Sequence, residues 1–380
     1  MNLHISNDEK FLDPFIVNAE NYTNSKNVYI VITKQEELNH VKTKNVITCK
    51  PELNSLEQAV SSLDDFERVY FHSFSELFSD ISFSPVLKGV KKYLLFYGFE
   101  VFGLKKYELS FYLPKTKAYV KENKSFYFTP KLNPIEFRRE VINYRYYDKQ
   151  KTQLDHKIIT ALSKFDYICH FIEEDVKAYI QPIAPNIKWI NWNFFGKNVG
   201  VDETFKQDSA TLNTILLGNS ASPFNNHIEA LEYLADAAVK LKVMVPLSYS
   251  GSENYINKVV DLGTKQFKDN FLPLTDFLPM KEYYKLMQGV KAAVFFNLRS
   301  QAAGNILWLL THNIPVFMLE QNNLYKMLKQ TGIVVYSIER DLKPFLKDSS
   351  DFTAHLENEK SIEEVFGEKV MKMKYHNLLN

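Results

Sequence analysis

With 380 residues, 45% of them hydrophobic, and 29 Phe and 22 Tyr, the chain has apolar material for two separate cores, which excludes a disordered polypeptide and exceeds one ordinary doubly wound sheet. Two cysteines, Cys49 and Cys169, without a CxxC pair exclude a disulfide scaffold and a thiolate metal site and fit a reducing compartment. The formal net charge of +1 conceals a cluster: between Pro85 and Lys151, 15 Lys and Arg stand against 6 acids, interleaved with aromatics such as Tyr93, Phe96, Phe111, Phe126 and Tyr146.

That mixture suits anionic lipid headgroups, where each cation contributes about 1 kcal/mol. The same composition fits nucleic acid, or a solvated basic face over core aromatics. We expect the membrane surface and no nucleic acid. The leading MNLHISNDEKFLDPFIV carries Asp8, Glu9 and Asp13 where a signal peptide is apolar. No uncharged apolar run reaches the roughly 18 residues of a membrane span. A cytoplasmic protein, at most peripheral to a membrane, is expected.

In chain order, Met1–Ser6 predicts a strand that runs into Asn7-Asp8-Glu9-Lys10, with a helix starting at Phe11, Phe15 and Ile16. Strands follow at 28–33 and 45–48 with a short helix over 36–41 between them, then a helix over 56–63 and a strand over 68–71 that opens into His72-Ser73-Phe74. Tyr93–Phe96 predicts a strand leading to Tyr97-Gly98-Phe99-Glu100. A long charged helix is expected over 131–162, a strand over 165–169, a helix over 176–180 after the acids Glu173, Glu174 and Asp175, and a last strand over 187–192. Those three acids read as charge favouring a helix start rather than as a metal cluster. His4, among apolar neighbours, reads as a core side chain. Residues 193–209 are polar and aperiodic and predict an interdomain linker.

The second half alternates strand and helix more cleanly. The strand expected over Thr214–Leu217 ends at Gly218-Asn219-Ser220, and after Pro223 helical periodicity begins at Ile228, Leu231, Leu234 and Ala238, with Asn225 or Asn226 as cap. Strands at 243–245, 271–272, 292–296 and 315–318 and helices at 254–262, 281–288 and 303–310 complete parallel βαβ units. The tail predicts a helix over 362–373.

GNS, then Asn225 and His227, then VMVPLSY at 243–249 and KLMQGVKAAVFFNLRSQAAGNILWLLTHNIPVFM at 285–318 together resemble the enterobacterial enzymes that transfer N-acetylfucosamine from its dTDP donor to a polyprenyl-linked disaccharide, the TDP-N-acetylfucosamine:lipid II N-acetylfucosaminyltransferase family. The likeness is clearest from about Thr214 to Val335. It implies an α/β protein of GT-B architecture, two Rossmann-like domains facing a cleft with a C-terminal helix returning to the first. Residues 1–196 would bind acceptor, 197–350 the nucleotide-sugar donor, and 351–380 form a helical tail. It further implies a lipid-linked saccharide acceptor and a site at the inner face of a bacterial membrane. Glu100 stands where the family has an Asp, one methylene longer in reach.

Transfer from a sugar nucleotide needs charge stabilisation for the departing diphosphate and a group to activate the acceptor hydroxyl. Asn297, Arg299, Gln301, Gly304 and Asn305 link a strand to a helix, so amides and one guanidinium can meet phosphate, with Gly218, Asn219 and Ser220 completing the cradle. Pro246, Ser248 and Tyr249 and the run Thr275, Asp276 and Phe277 are placed for base and ribose, and Asn225 and His227 join the donor set. No GxGxxG, GK[ST] phosphate loop or Asp-x-Asp occurs, so neither a cofactor nor a metal is expected. The dTDP sugar is the first expectation for donor, with UDP and GDP sugars as others. Glu100 is the first candidate base, followed by His72 and Asp8. A non-catalytic nucleotide-sugar binder and a nucleotide-sugar epimerase are the alternative readings on this frame.

Overall fold

The computed structural model describes residues 1–63, 65–124, 149–196, 205, 212–237, 240–349, 352 and 356–380. By its contacts the chain divides into one unit of Met1–Glu108, Lys131–Gly196 and Glu368–Asn380 and another of Leu109–Pro130 and Lys197–Gly367.

The first unit is built on a parallel seven-stranded sheet: β1 (Asn2–Asn7), β2 (Asn27–Ile32), β3 (Ile47–Cys49), β4 (Arg68–His72), β5 (Lys91–Leu95), β6 (Tyr167–Cys169) and β7 (Lys188–Ile190), in the order β3-β2-β1-β4-β5-β6-β7. Helices cover such a sheet on both faces, so its inner strands read as near-continuous apolar runs. In β1 every residue but the last is buried, and His4 lies between the rings of Tyr29 and Tyr70, each 4.8 Å away. Burial pushes its pKa down to about 3, which keeps it a neutral core side chain. The strand order reverses between β1 and β4. The loops that open there are Asn7–Glu9 and His72–Phe74.

The second unit carries a parallel six-stranded sheet of β8 (Thr214–Leu217), β9 (Lys242–Pro246), β10 (Phe271–Leu274), β11 (Val290–Phe295), β12 (Val316–Met318) and β13 (Tyr336–Ser337), ordered β10-β9-β8-β11-β12-β13. Its reversal lies between β8 and β11, where doubly wound sheets receive ligands. Gly218–Ser220 and Asn297–Gln301 are the loops at that point.

Several expectations need correction. Residues 36–41 form no helix. Asp8 accepts hydrogen bonds from the backbone of Asn39, His40 and Val41, and Asp13 from that of Lys42 and Thr43, so side-chain carboxylates replace the carbonyls a helix would use. Of the long helix over 131–162, residues 125–148 lie outside the described residues and 149–162 are helical. Pro114–Lys124, expected within the first domain, forms a helix that packs inside the second unit, where the Glu229 carboxylate accepts from the backbone N–H of Lys115 and Thr116 and Lys115 pairs with Glu232. The tail helix is two helices, Leu356–Phe366 and Glu368–Leu379, parted at Gly367, whose Cβ would lie 2.3 Å from the Glu363 carbonyl oxygen. The last of these packs on helix Leu12–Tyr22 within the first unit, buries Tyr375 and accepts from the Tyr70 hydroxyl at Leu378. No helix among the described residues is long and apolar enough to cross a membrane.

Candidate active site

In the second unit β8 ends at Gly218, whose φ of +70° is a conformation that side chains resist. An added Cβ there would sit 2.8 Å from Asn225 Oδ1. That closeness has a purpose, because Asn225 is the centre of a polar network. Its Oδ1 accepts from the Asn219 amide at 3.3 Å, from Asn297 Nδ2 at 3.2 Å and from Gln301 Nε2 at 3.4 Å, while its own Nδ2 donates to the Ser220 carbonyl at 2.9 Å. Gln301 also donates to Asn219 Oδ1 at 3.2 Å and accepts from Arg299 Nε at 2.7 Å. The buried Asn322 donates to the carbonyls of Asn297 and Arg299. The loops after β8 and β11 are thereby stitched side by side at the carboxyl end of the sheet. Arg299 sits over the ring of Phe224, 4.2 Å from its centroid. Helix Ala303–Thr311 follows, with Ala302 left-handed before it and Gly304 in its first turn.

Beside this network lies a cavity of about 250 Å³ lined by Asn219, Pro246, Ser248, Tyr249, Leu274, Asp276, Phe277, Leu278, Tyr283 and Asn305. Sequence reasoning thus brought the ends of β8, β9 and β10 to one place. It missed Leu278 and Tyr283, which come from the segment after Phe277 and from the start of helix Met280–Met287. Tyr249 accepts from Asn219 Nδ2 at 3.3 Å, and Phe277 is 84% exposed at the rim. Thr275 is exposed and is not among the lining residues. A pocket of apolar and aromatic walls with a few polar groups is the usual form of a small-molecule site.

His227 is placed differently from its expected neighbours. It is fully buried, its Nδ1 lies 3.2 Å from the Tyr255 hydroxyl, and burial pushes its pKa down to about 3. It supports Gly218 from beneath as a neutral ring. Asn226 takes the expected N-cap position of helix His227–Asp236, but its side chain makes no cap hydrogen bond. Asn226 is left-handed, and its side chain bonds the backbone of Phe111, Leu113 and Phe296 instead.

In the first unit the three candidate bases differ sharply. Glu100 lies on a single helical turn, Phe99–Phe102, entered through Gly98 at φ +103°. It is 8% exposed, its Oε1 accepts from the Tyr97 amide at 2.9 Å, and its Oε2 is buried with no partner. Burial raises its pKa to about 7, against the opposing pull of the Tyr97, Glu100 and Gly98 amides. It also lines a cavity of about 690 Å³ together with Glu76, Gly103, Leu104, Gln150, Lys151, Gln153, Leu154, Asp155, Lys157 and Ile158. His72 is fully buried, 3.1 Å from His4, and held well below its ordinary pKa by burial and then by that second ring. Asp8 is occupied by three backbone donors; burial opposes its charge, but those bonds outweigh it and hold the pKa low.

A fourth carboxyl, Glu9, was overlooked in favour of its neighbour. Burial first, and the charge of Glu100 second, raise it to about 7, and its Oε1 is buried without a partner. The acids after β6 hold no metal arrangement: Asp175 lies 3.4 Å from His170 and Glu173 pairs with Lys177. Among the described residues no group of three His, Cys, Asp or Glu is arranged to hold a metal ion.

Residues 194–370 match the family model for 4-alpha-L-fucosyltransferase, glycosyl transferase group 56. Among solved structures, HepE of Anabaena in complex with UDP-glucose is 9% identical, with 100% of this chain and 99% of that one covered at a TM-score of 0.64. Sucrose-phosphate synthase of Thermosynechococcus elongatus is 8% identical, with 100% and 98% covered and a TM-score of 0.63. The lipopolysaccharide outer core galactosyltransferase WaaB, also 8% identical, matches over 99% and 98% with a TM-score of 0.59. These likenesses establish the architecture as two Rossmann-like α/β domains of the GT-B kind.

Proposed function

We propose that this chain, whose residues 194–370 match the family model for 4-alpha-L-fucosyltransferase of group 56, is a GT-B glycosyltransferase that moves a deoxyamino sugar of the N-acetylfucosamine type from a dTDP donor to a polyprenyl-diphosphate-linked oligosaccharide, without a metal. The observation that carries the reading is the β8/β11 reversal, where the side-chain amides of Asn225 and Gln301 and the Arg299 guanidinium lie beside a cavity of about 250 Å³.

In the proposed reaction the acceptor oxygen bonds to the anomeric carbon as the bond from that carbon to the diphosphate oxygen breaks. The electron pair leaves with the diphosphate, whose charge is met by Arg299 and by the amides near Gly304. The acceptor proton passes to Glu100. A carboxyl with a pKa near 7 is a suitable base at neutral pH, since a substantial fraction is ionised and the conjugate acid is still weak. His72, deep in the core, and Asp8, committed to its loop, lack that availability. The group 56 match, WaaB among the neighbours and the basic stretch of 85–151, whose residues 125–148 lie outside those described, support a lipid-linked acceptor at the inner membrane face.

Turnover with a radiolabelled dTDP sugar and a lipid-linked acceptor tests this directly. A labelled, lipid-extractable glycoside formed in the presence of EDTA supports the proposal. Conversion of the sugar nucleotide without transfer identifies an epimerase instead, and binding without any turnover a sugar-nucleotide receptor.

A further inference from the structure

Arg299 is long and flexible, and a guanidinium is useful to a diphosphate only if it is held where the phosphates will lie. In this protein Arg299 is held by its Nε bond to Gln301 Oε1 at 2.7 Å and by a ring, that of Phe224, with its Cζ 4.2 Å from the ring centroid. The same ring stacks on Tyr112, with centroids 4.8 Å apart and planes 2° from parallel. Tyr112 comes from more than a hundred residues upstream, in the stretch that leads into helix Pro114–Lys124.

One side chain fixes where that tyrosine stands. The fully buried Asn226 donates from Nδ2 to the Phe111 carbonyl at 3.3 Å and accepts at Oδ1 from the Leu113 amide at 2.8 Å, so it grips the backbone on both sides of Tyr112. The platform is clamped too: the Phe224 carbonyl accepts from Asn297 Nδ2 at 3.0 Å and from Asn226 Nδ2 at 3.3 Å. Asn226 holds a left-handed conformation, φ +50°, while making these bonds, and makes no cap bond to the helix that follows. A residue in a costly conformation, using its amide on a distant segment rather than on its own helix, marks that segment as one the loop depends on.

We propose that Tyr112 is a positioning residue for the donor diphosphate, acting through Phe224 to hold the Arg299 guanidinium over the cradle. This rests on the reading of Arg299 as the phosphate-binding cation. Tyr112 touches no substrate; its ring sets where the cation stands.

The test is calorimetric titration of the full chain with dTDP and UDP, alongside ligand-observed nuclear magnetic resonance with thymidine and uridine, which carry no phosphate. Tyr112→Ala is expected to weaken diphosphate binding about tenfold and to leave nucleoside binding within about twofold. Tyr112→Phe keeps the ring and restores wild-type affinity. In a Tyr112→Ala/Arg299→Ala double variant the loss matches that of Arg299→Ala alone, because the tyrosine has no cation left to place. Circular dichroism verifies folding, and should Tyr112→Ala not fold, Phe224→Leu carries the same comparison by removing the platform while keeping apolar volume. Wild-type affinity in Tyr112→Ala, an equal loss in Tyr112→Phe, parallel loss of nucleoside, or additivity with Arg299→Ala overturns the inference. Failure of the wild type to bind either diphosphate overturns the donor reading itself and this inference with it. Weakened binding by Arg299→Ala beside unchanged binding by Tyr112→Ala overturns only the inference.

Discussion

The loops at the carboxyl ends of the two sheets handle polar groups in opposite ways. After β8 and β11 the side chains are mostly neutral amides bonded to one another: Asn225, Gln301, Asn297 and Asn322 form a connected network with Arg299 as its cation, in which Asn297 Oδ1 is buried without a partner. After β1 and β5 the prominent side chains are carboxyls, Glu9 and Glu100, both raised to about 7 and each with a buried oxygen that lacks a partner. A connected network of fixed dipoles suits an anion whose charge must be met without reorganisation. Unsatisfied carboxyls with raised pKa suit a proton that must move. The same kind of fold position thus supports two chemistries, and the difference lies in what the loop side chains were left to bond.

The largest effect should come from the proton-handling loop. Glu100→Gln is expected to lower kcat about a hundredfold to ten-thousandfold, the usual range for a positioned general base, while dTDP affinity by titration stays within about twofold. Comparable loss of both would dissolve the division of labour. Next comes Arg299→Ala, expected to cut turnover about a hundredfold or more, as loss of one charge-stabilising group does elsewhere. Here dTDP affinity must fall as well; unchanged affinity would remove the cation from the phosphate site.

Gly218→Ala sharpens the anion side without touching a charge. The new methyl meets Asn225 Oδ1 at 2.8 Å and the residue must hold φ +70°, so a stability loss of about 1–2 kcal/mol is expected. Displacing Asn225 also releases the Asn219 amide, and donor affinity should drop with the melting temperature. A drop in stability alone would mean that the network is scaffold only.

Much of the donor half was legible because its strands are short apolar runs closed by polar turns. Thr214–Leu217 matches its observed bounds, and Asn219, Tyr249, Asp276 and Asn305 meet in one cavity because parallel strands deliver their loops to one end. What escaped reading depends on partners distant in sequence. Nothing local places Pro114–Lys124 against Glu229, because the helix has little apolar surface beyond Tyr119 and Val120 and its polar attachment lies in a carboxylate more than a hundred residues away. Asp8 looked like a base for the same reason: its occupation by Asn39–Val41 is visible only once that loop folds back. Helix Asn323–Gln330 and strand β13 were not anticipated, although Leu324, Met327 and Leu328 carry a helical spacing that was available. Glu9 was passed over because adjacent acids look alike in sequence, and their separate environments are set by burial and by Glu100.

The smallest predicted effect tests whether the two raised carboxyls act together. Both are protonated more readily in the folded chain than in water, so between about pH 4.5 and 7 the folded state holds protons that the unfolded state has released, and stability falls as pH rises through that window. Activity, which in the proposed reaction draws on ionised Glu100, should rise over the same interval, with a midpoint near its pKa. Because the charge of one carboxyl raises the other, Glu9→Gln removes a charge that favours the protonated form of Glu100. The rising limb of the pH–rate profile should therefore move to lower pH by less than one unit, with the plateau kcat within about threefold of wild type, a magnitude set by ordinary carboxylate coupling. A limb that stays in place would uncouple the pair. A limb that moves to higher pH would mean that Glu9 is itself protonated and donates to Glu100, which would make it a hydrogen-bond donor rather than a neighbouring charge.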